Sequence, residues 1–352
     1  MSSEARNSNP TIDALMARLD PHLLAPGVTE LAMNRYGEVW QKSFQGWTPV
    51  ADPKLDLSFT QSLATALAAH NKQNVGSVMY LVMPRGERAT VITSPAVIDD
   101  TLSLLIRRHM PINKSLEDLQ EQGAFNDVKD MSFNDPTAAE CEEYLQRRDF
   151  AQLQPFEAEL LALKRERNWV EFLRMAVRHH RNIVIAGKTE SGKTVMARSL
   201  IDEIPTTERL ITIEDTHELT LPKHENKVHM IYERKGPITP QICIESCMRQ
   251  SADRILVSEI RGSEAWDYLT ALNTGHEGGI ATTHANNARA TYSRLASLVK
   301  ASEVGKTLDY QTIRDELTAT IHLVLFLRRR KVVEVFYDPI YAREELNKAR
   351  AK

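Results

Sequence analysis

The octapeptide Gly187-Lys188-Thr189-Glu190-Ser191-Gly192-Lys193-Thr194 reads G-x-x-x-x-G-K-T, the pattern of a phosphate-binding loop. Asn182-Ile183-Val184-Ile185-Ala186 precedes it, a short β-branched run of the kind a buried parallel strand needs. Val195 to Ile201 follows with helical spacing of its apolar residues. Strand, glycine-rich loop and helix together restrict the chain to an α/β nucleotide-binding fold. In such a loop successive backbone N–H groups face phosphate oxygens, and the helix N-terminus adds partial positive charge. Lys193 is the expected point charge for the β- and γ-phosphates of ATP, and the Thr194 hydroxyl a ligand for Mg²⁺. Glu190 stands where many such loops carry glycine, and a carboxylate there repels a triphosphate unless it points away.

The 352 residues have ordinary globular composition, 42% hydrophobic and 26% charged, enough for two domains with their own cores. A net charge of -3 argues against a dedicated, strongly basic nucleic-acid binder. Cys141, Cys243 and Cys247 form no metal-ligand pattern, and their sparse, odd count suits a reducing cytoplasm. Cys243 and Cys247, one helical turn apart, read as core thiols. No apolar run approaches the ~18 residues of a membrane span, and Met1 to Pro10 is polar, without the apolar core of a signal peptide. These features place the protein in the cytoplasm, with disorder expected over residues 1–10.

The pattern predicts a helix over Ile12 to Leu19, a hairpin of Val28 to Met33 with Glu38 to Gln41, and a second helix over Ser58 to His70. A second hairpin follows, Val78 to Met83 with Ala89 to Ile92, and then a strand from Thr101 that ends in Arg107-Arg108-His109. These define a compact α+β domain over residues 1–134. Residues 135–155, opened by Asp135-Pro136 and rich in charge, read as a linker that is helical in part, as over Ala138 to Arg148. Residues 156–352 form the nucleotide-binding domain. It opens with a long helical pattern from Phe156 to Val177 and closes with a hairpin, Ile321 to Leu327 and Val332 to Phe336, across Arg328-Arg329-Arg330-Lys331.

In an open α/β sheet, ligands bind beyond the carboxyl ends of the strands. Three further apolar strands end there on polar residues: Leu210 to Ile213 on Glu214-Asp215, Arg254 to Val257 on Ser258-Glu259, and Gly279 to Thr283 on His284. Glu259 is the first choice for activating water and Glu214 the second, for orienting water or a metal-bound water, with Asp215 as its neighbouring alternative. His284 is placed to sense the γ-phosphate through a hydrogen bond. His276 lies in the glycine-rich turn before it.

These boxes, in this order, resemble those of the type IV secretion traffic ATPases. Ile211 to Leu219 is similar to that family's acidic box, Asp253 to Gly262 to its Walker B region, and Asn273 to Asn287 to its histidine box. Val28 to Asn34 with Gly37 to Trp40 is similar to its opening hairpin, so the resemblance covers nearly the whole chain. It implies a RecA-like P-loop ATPase domain behind a smaller α+β N-terminal domain, six subunits in a two-tiered ring, and ATP lying between the two domains. It also implies partners among other channel ATPases and inner-membrane channel proteins, and a cytoplasmic place peripheral to the bacterial inner membrane. Arginines of the N-terminal domain are then expected to reach the phosphates, and Arg88 and Arg107 match best, with Arg249 a further candidate. The chain departs from the family at Glu190, at Ser258 in place of Gly, and at Gln250-Ser251-Ala252. The function so implied is ATP hydrolysis that drives substrate translocation or pilus biogenesis. The alternatives are a type IV pilus or type II secretion motor, a nucleotide-gated scaffold with little turnover, and, less consistent with the charge balance, a DNA helicase.

Overall fold

A computed structural model describes residues 10–43, 45–98, 101–108, 113–233 and 236–350. The polar segment 1–9 and His109 lie outside the described residues. The chain divides into two units, Met1–Pro111 and Ile112–Lys352.

The first unit runs α1 (Pro10–Leu23), β1 (Glu30–Met33), β2 (Glu38–Ser43), β3 (Gly46–Ala51), α2 (Leu57–His70), β4 (Val78–Val82), β5 (Arg88–Thr93) and β6 (Leu102–Arg107). Its six strands pair antiparallel in the order β3-β2-β1-β6-β5-β4. Alternation along β4, β5 and β6 turns Met79, Leu81, Ala89, Val91, Leu102, Leu104 and Ile106 to one face. There they pack with Ile12, Met16 and Leu19 of α1 and Phe59, Leu63 and Leu67 of α2. Asp56 caps α2 by accepting the Phe59 N–H at 2.8 Å.

The second unit opens with α3 (Leu116–Glu121), β7 (Lys129–Asp130), α4 (Ala138–Gln146), α5 (Pro155–Arg165) and α6 (Trp169–Arg178). The nucleotide-binding framework follows as β8 (Ile183–Gly187), α7 (Lys193–Ile201), β9 (Leu210–Glu214), β10 (Lys227–Ile231), α8 (Pro240–Cys247), β11 (Arg254–Ile260), α9 (Glu264–Leu272) and β12 (Ile280–Thr283). It closes with α10 (Ala288–Lys300), α11 (Glu303–Thr307), α12 (Tyr310–Thr320), β13 (Leu323–Arg328), β14 (Lys331–Phe336) and α13 (Pro339–Arg350). The eight strands stand in the order β10-β9-β11-β12-β8-β13-β14-β7. From β10 to β13 every pairing is parallel, and β14 returns antiparallel. The sheet carries a separate apolar core on each face, as a parallel sheet requires. The burial of Cys243 and Cys247 in one of these cores pushes the Cys247 thiol up to about 12.

Two sequence expectations change here. The domain boundary expected at 134 falls at 111/112, and residues 135–155 are built into the second unit. β7 pairs with β14, α4 starts on a Thr137–Glu140 capping box, and Asp338 accepts the N–H groups of Phe133 and Asn134 at 2.7 and 2.8 Å. The long helical pattern after Phe156 breaks in two. Arg167 takes a left-handed φ of 59° and Asn168 caps α6.

β8, which carries the phosphate loop at its carboxyl end, lies between β12 and β13 in the sheet interior. Asn182 fixes its start, accepting the N–H groups of Gly278 and Gly279 and donating to the Thr320 carbonyl. At the same level Arg254 is fully buried and forms a two-pronged ion pair with Glu208.

Candidate active site

Gly187 leaves β8 at φ 155°, and a methyl group there would meet Ser191 Oγ at 2.5 Å and the Leu327 carbonyl at 2.6 Å. That close approach is why the loop's first position is glycine. Gly192, at φ 97°, is the N-cap of α7 and contributes no side-chain cap. The first N–H groups of an α-helix have no intrahelical acceptor, so this end is left to a ligand anion. Glu190 has a φ of 64°, in the left-handed region, which accounts for glycine being common at this position. The Arg330 N–H donates to the Ser191 carbonyl at 2.9 Å, so the tip of the β13–β14 hairpin holds the loop from one side.

Lys193 is buried, and its Nζ donates to the Gly187 and Lys188 carbonyls at 3.0 and 3.2 Å. Burial holds its pKa below the ordinary lysine value, against the pull of Glu259. The Thr194 hydroxyl donates to Glu218 Oε2 at 3.1 Å.

Glu259 lies on β11, where the pairing with β12 takes an extra residue between Val257 and Ile260. This irregularity interrupts the alternation at Ser258-Glu259 and lets the carboxylate meet His284, at the end of the adjacent strand. Glu259 Oε1 is 3.1 Å from His284 Nε2. Arg261 grips the same carboxylate with two nitrogens, at 2.5 and 2.8 Å, and reaches Asp215 at 2.9 Å with a third. Burial would raise the pKa of Glu259, but Arg261, His284 and Lys193 together hold it below the usual carboxylate value. His284 is itself held below the ordinary histidine value by burial and the nearby Lys193. A cleft of about 330 Å³ opens beside them, lined by Lys188, His284, Ala285, Asn286, Ala290 and Arg294.

Glu214 ends β9, as the strand pattern predicts, and its carboxylate is engaged by protein groups. It is fully buried, and its Oε2 accepts the N–H groups of Glu218 and Leu219 at 2.7 Å each. Its Oε1 takes the Thr212 hydroxyl at 2.8 Å and lies 3.1 Å from His217 Nδ1. Burial alone would raise its pKa; these hydrogen bonds outweigh burial and hold it well below the carboxylate range. Such a carboxylate organises the 215–219 loop, and the acid that this loop presents to Thr194 is Glu218, which the sequence reading passed over. Arg198 pins the Glu218 carbonyl in turn. Arg261 was also missed, although two acids at neighbouring strand ends call for a cation between them. His276 is engaged elsewhere, 2.8 Å from the Ala252 carbonyl. Arg88 and Arg107 belong to the first unit, at register-paired positions of β5 and β6. Arg107 is ion-paired with the buried Glu30.

A phosphate loop at the centre of a parallel sheet, with a carboxylate and a histidine from neighbouring strand ends, defines a RecA-like P-loop nucleoside triphosphatase. Comparison with known proteins narrows this. Residues 112–333 match the family described as "Type II/IV secretion system protein". Type IV secretion system protein VirB11 of Brucella suis is 37% identical over 337 residues, 91% of this chain and 88% of that protein. The crystal structure of the VirB11 ATPase from the Brucella suis type IV secretion system, in complex with sulphate, matches with a TM-score of 0.53 at 36% identity, over 96% of this chain and 97% of that one. The pilus retraction motor PilT shares the fold, with a TM-score of 0.58 at 17% identity over 95% of this chain and 88% of its own. The chain belongs to the type II/IV secretion system family, among the VirB11-type type IV secretion ATPases.

Proposed function

We infer that this chain is an ATP-hydrolysing motor of a type IV secretion system, powering substrate translocation or pilus biogenesis at the cytoplasmic base of the channel. The observation that carries this reading is the convergence of Lys193, Glu259 and His284 on the phosphate loop, within a chain of that family. The loop's backbone and Lys193 bind and orient the triphosphate, Glu259 accepts a proton from the attacking water or orients it, and His284 connects the γ-phosphate position to α10. The Thr194 hydroxyl and the Glu218 carboxylate, 3.1 Å apart, are hard oxygen donors of the kind Mg²⁺ takes. When bound there, the ion would neutralise charge on the β- and γ-phosphates. Arg88 and Arg107 are proposed as phosphate-recognising arginines, tested by the ATP affinity of Arg88→Ala and Arg107→Ala.

The proposed assembly is a homohexamer, peripheral to the inner membrane through channel proteins and partner ATPases. Among the described residues no helix is long and apolar enough to cross a membrane. The test is specific ATPase activity against protein concentration, with Lys193→Ala as the blank. Activity that rises with concentration supports a working assembly. A constant, nonzero value down to concentrations at which sizing shows monomer contradicts the ring. The Arg261 clamp on both oxygens of Glu259 favours one second reading, a nucleotide-gated scaffold that turns over little until a partner docks. A turnover rate unchanged by Glu259→Gln would favour it.

A further inference from the structure

On the β9–β10 edge of the sheet, we propose a transition-metal site of the Zn²⁺ class formed by Glu214, His217 and His229. Thr212 and Glu214 share one face of β9, two residues apart. The parallel register sets His229 of β10 opposite Thr212 and so brings its ring to that face. His217 comes from the loop after β9. Glu214 Oε1 is 3.1 Å from His217 Nδ1 and 3.7 Å from His229 Nδ1, and the three donor atoms lie within 4.8 Å of one another. Four ligands arranged tetrahedrally at ~2.0–2.1 Å from Zn²⁺ are about 3.3 Å apart. The three side chains therefore already stand near metal-binding spacing, with a coordination position left for solvent.

The donor set is selective. Two imidazoles and one carboxylate suit Zn²⁺ and its neighbours in the first transition row, whereas Mg²⁺ and Ca²⁺ take oxygen ligands. The site is open to a solvated ion, since the His217 side chain is 44% exposed and that of His229 25%. Its carboxylate is anchored as well. Glu214 Oε2 is held by the N–H groups of Glu218 and Leu219, and the Thr212 hydroxyl donates to Oε1 at 2.8 Å; the contact of that hydroxyl with His229 Nδ1, also 2.8 Å, is the one that metal ligation would replace.

The site is coupled to the ATPase centre through the loop it closes. That loop carries Asp215, bound to Arg261, and Glu218, bound to Thr194. An ion joining Glu214, His217 and His229 ties β10 to the start and the middle of this loop, so occupancy stiffens the element that presents Glu218 to the phosphate site.

The test is titration of the full, chelator-treated chain with Co²⁺ alone, in the absence of nucleotide and Mg²⁺. The expected result is one equivalent per chain at micromolar affinity, with the intense visible bands of four-coordinate Co²⁺, displaced by Zn²⁺. His229→Gln and His217→Gln should each abolish the bands, while His70→Gln in α2 retains them. Zn²⁺ should also raise the thermal midpoint of the wild-type chain but not of His229→Gln. His217 lies on a loop and is half exposed, so His217→Gln separates ligand loss from misfolding, with circular dichroism as the check. Absence of stoichiometric uptake overturns the proposal. So does uptake that survives both histidine substitutions, which would place the ion elsewhere, for example on the thiols of Cys243 and Cys247.

Discussion

Arg261 binds Glu259 side on, donating from Nε at 2.5 Å and from Nη2 at 2.8 Å to the two carboxylate oxygens. Such a pair keeps a buried carboxylate ionised and aimed, at the cost of occupying both of the oxygens that would accept a proton from water. The arginine's third nitrogen is held by Asp215, so the acidic loop and the strand that carries Glu259 share one cation.

Arg261→Ala leaves burial as the dominant influence on Glu259 and raises its pKa. An opposite charge at this range lowers a carboxylate pKa by ~1–3 units. The acid limb of the turnover-pH profile should therefore move to higher pH by about 1–3 units in this variant, and by less in Arg261→Lys. An acid limb that stays in place would show that Arg261 does not set the ionisation of Glu259.

Glu214 and Glu259 both have folded pKa values below the ordinary glutamate value of 4.5. The unfolded chain therefore binds more protons than the folded one as pH falls through this range. The stability they contribute is complete above 4.5 and is lost as pH falls toward their folded values. Glu214→Gln should cost about 1–3 kcal/mol at neutral pH and flatten the acid limb of the stability curve, measured by urea unfolding across pH. An unchanged curve would show that the buried hydrogen bonds of Glu214 contribute nothing net.

Glu190→Gly removes both a left-handed non-glycine residue and a carboxylate beside the phosphate loop. Relief of ~1–2 kcal/mol of backbone strain is offset in part by the ~0.5–1 kcal/mol entropic cost of glycine. Stability should change by less than ~1.5 kcal/mol, while ATP affinity rises about two- to tenfold through lost repulsion. Weaker ATP binding in this variant would mean that Glu190 helps to hold the loop in shape.

Gly187→Ala sets a methyl group against Ser191 Oγ and the Leu327 carbonyl, both under 3 Å away. One of these partners is backbone of the adjacent strand and cannot rotate aside. A stability loss of about 1–3 kcal/mol is expected, together with loss of detectable nucleotide binding by fluorescence titration. Wild-type affinity in this variant would refute the close packing of the loop.

Much of this architecture is legible in the sequence because its signals are local. The phosphate loop, the apolar runs that lead to Glu259 and His284, and the β13–β14 hairpin are each one short continuous stretch of chain. β3 was missed because Gly46 and Pro49 argue against a strand, yet on a sheet edge proline lacks no ladder donor. The 135–155 segment reads as a linker because α4 buries only Cys141 among its nine residues and presents charge elsewhere. The roles of Glu218 and Arg261 depend on partners set by the fold. Thr194 lies 24 residues from Glu218, and Asp215 lies 46 from Arg261. No spacing rule along one strand predicts either pair. Nor does anything local show that the loop following Glu214 folds back onto its carboxylate.

The most direct test of the account is single-turnover and steady-state ATP hydrolysis by Glu259→Gln beside the wild type, with ATP affinity measured in parallel. The account predicts a loss of about 10²–10⁴-fold in turnover, as for removal of a general base, with ATP affinity changed less than about threefold. Turnover within a factor of two of wild type would contradict it, because water activation would then not pass through the carboxylate that Arg261 and His284 hold beside the phosphate loop.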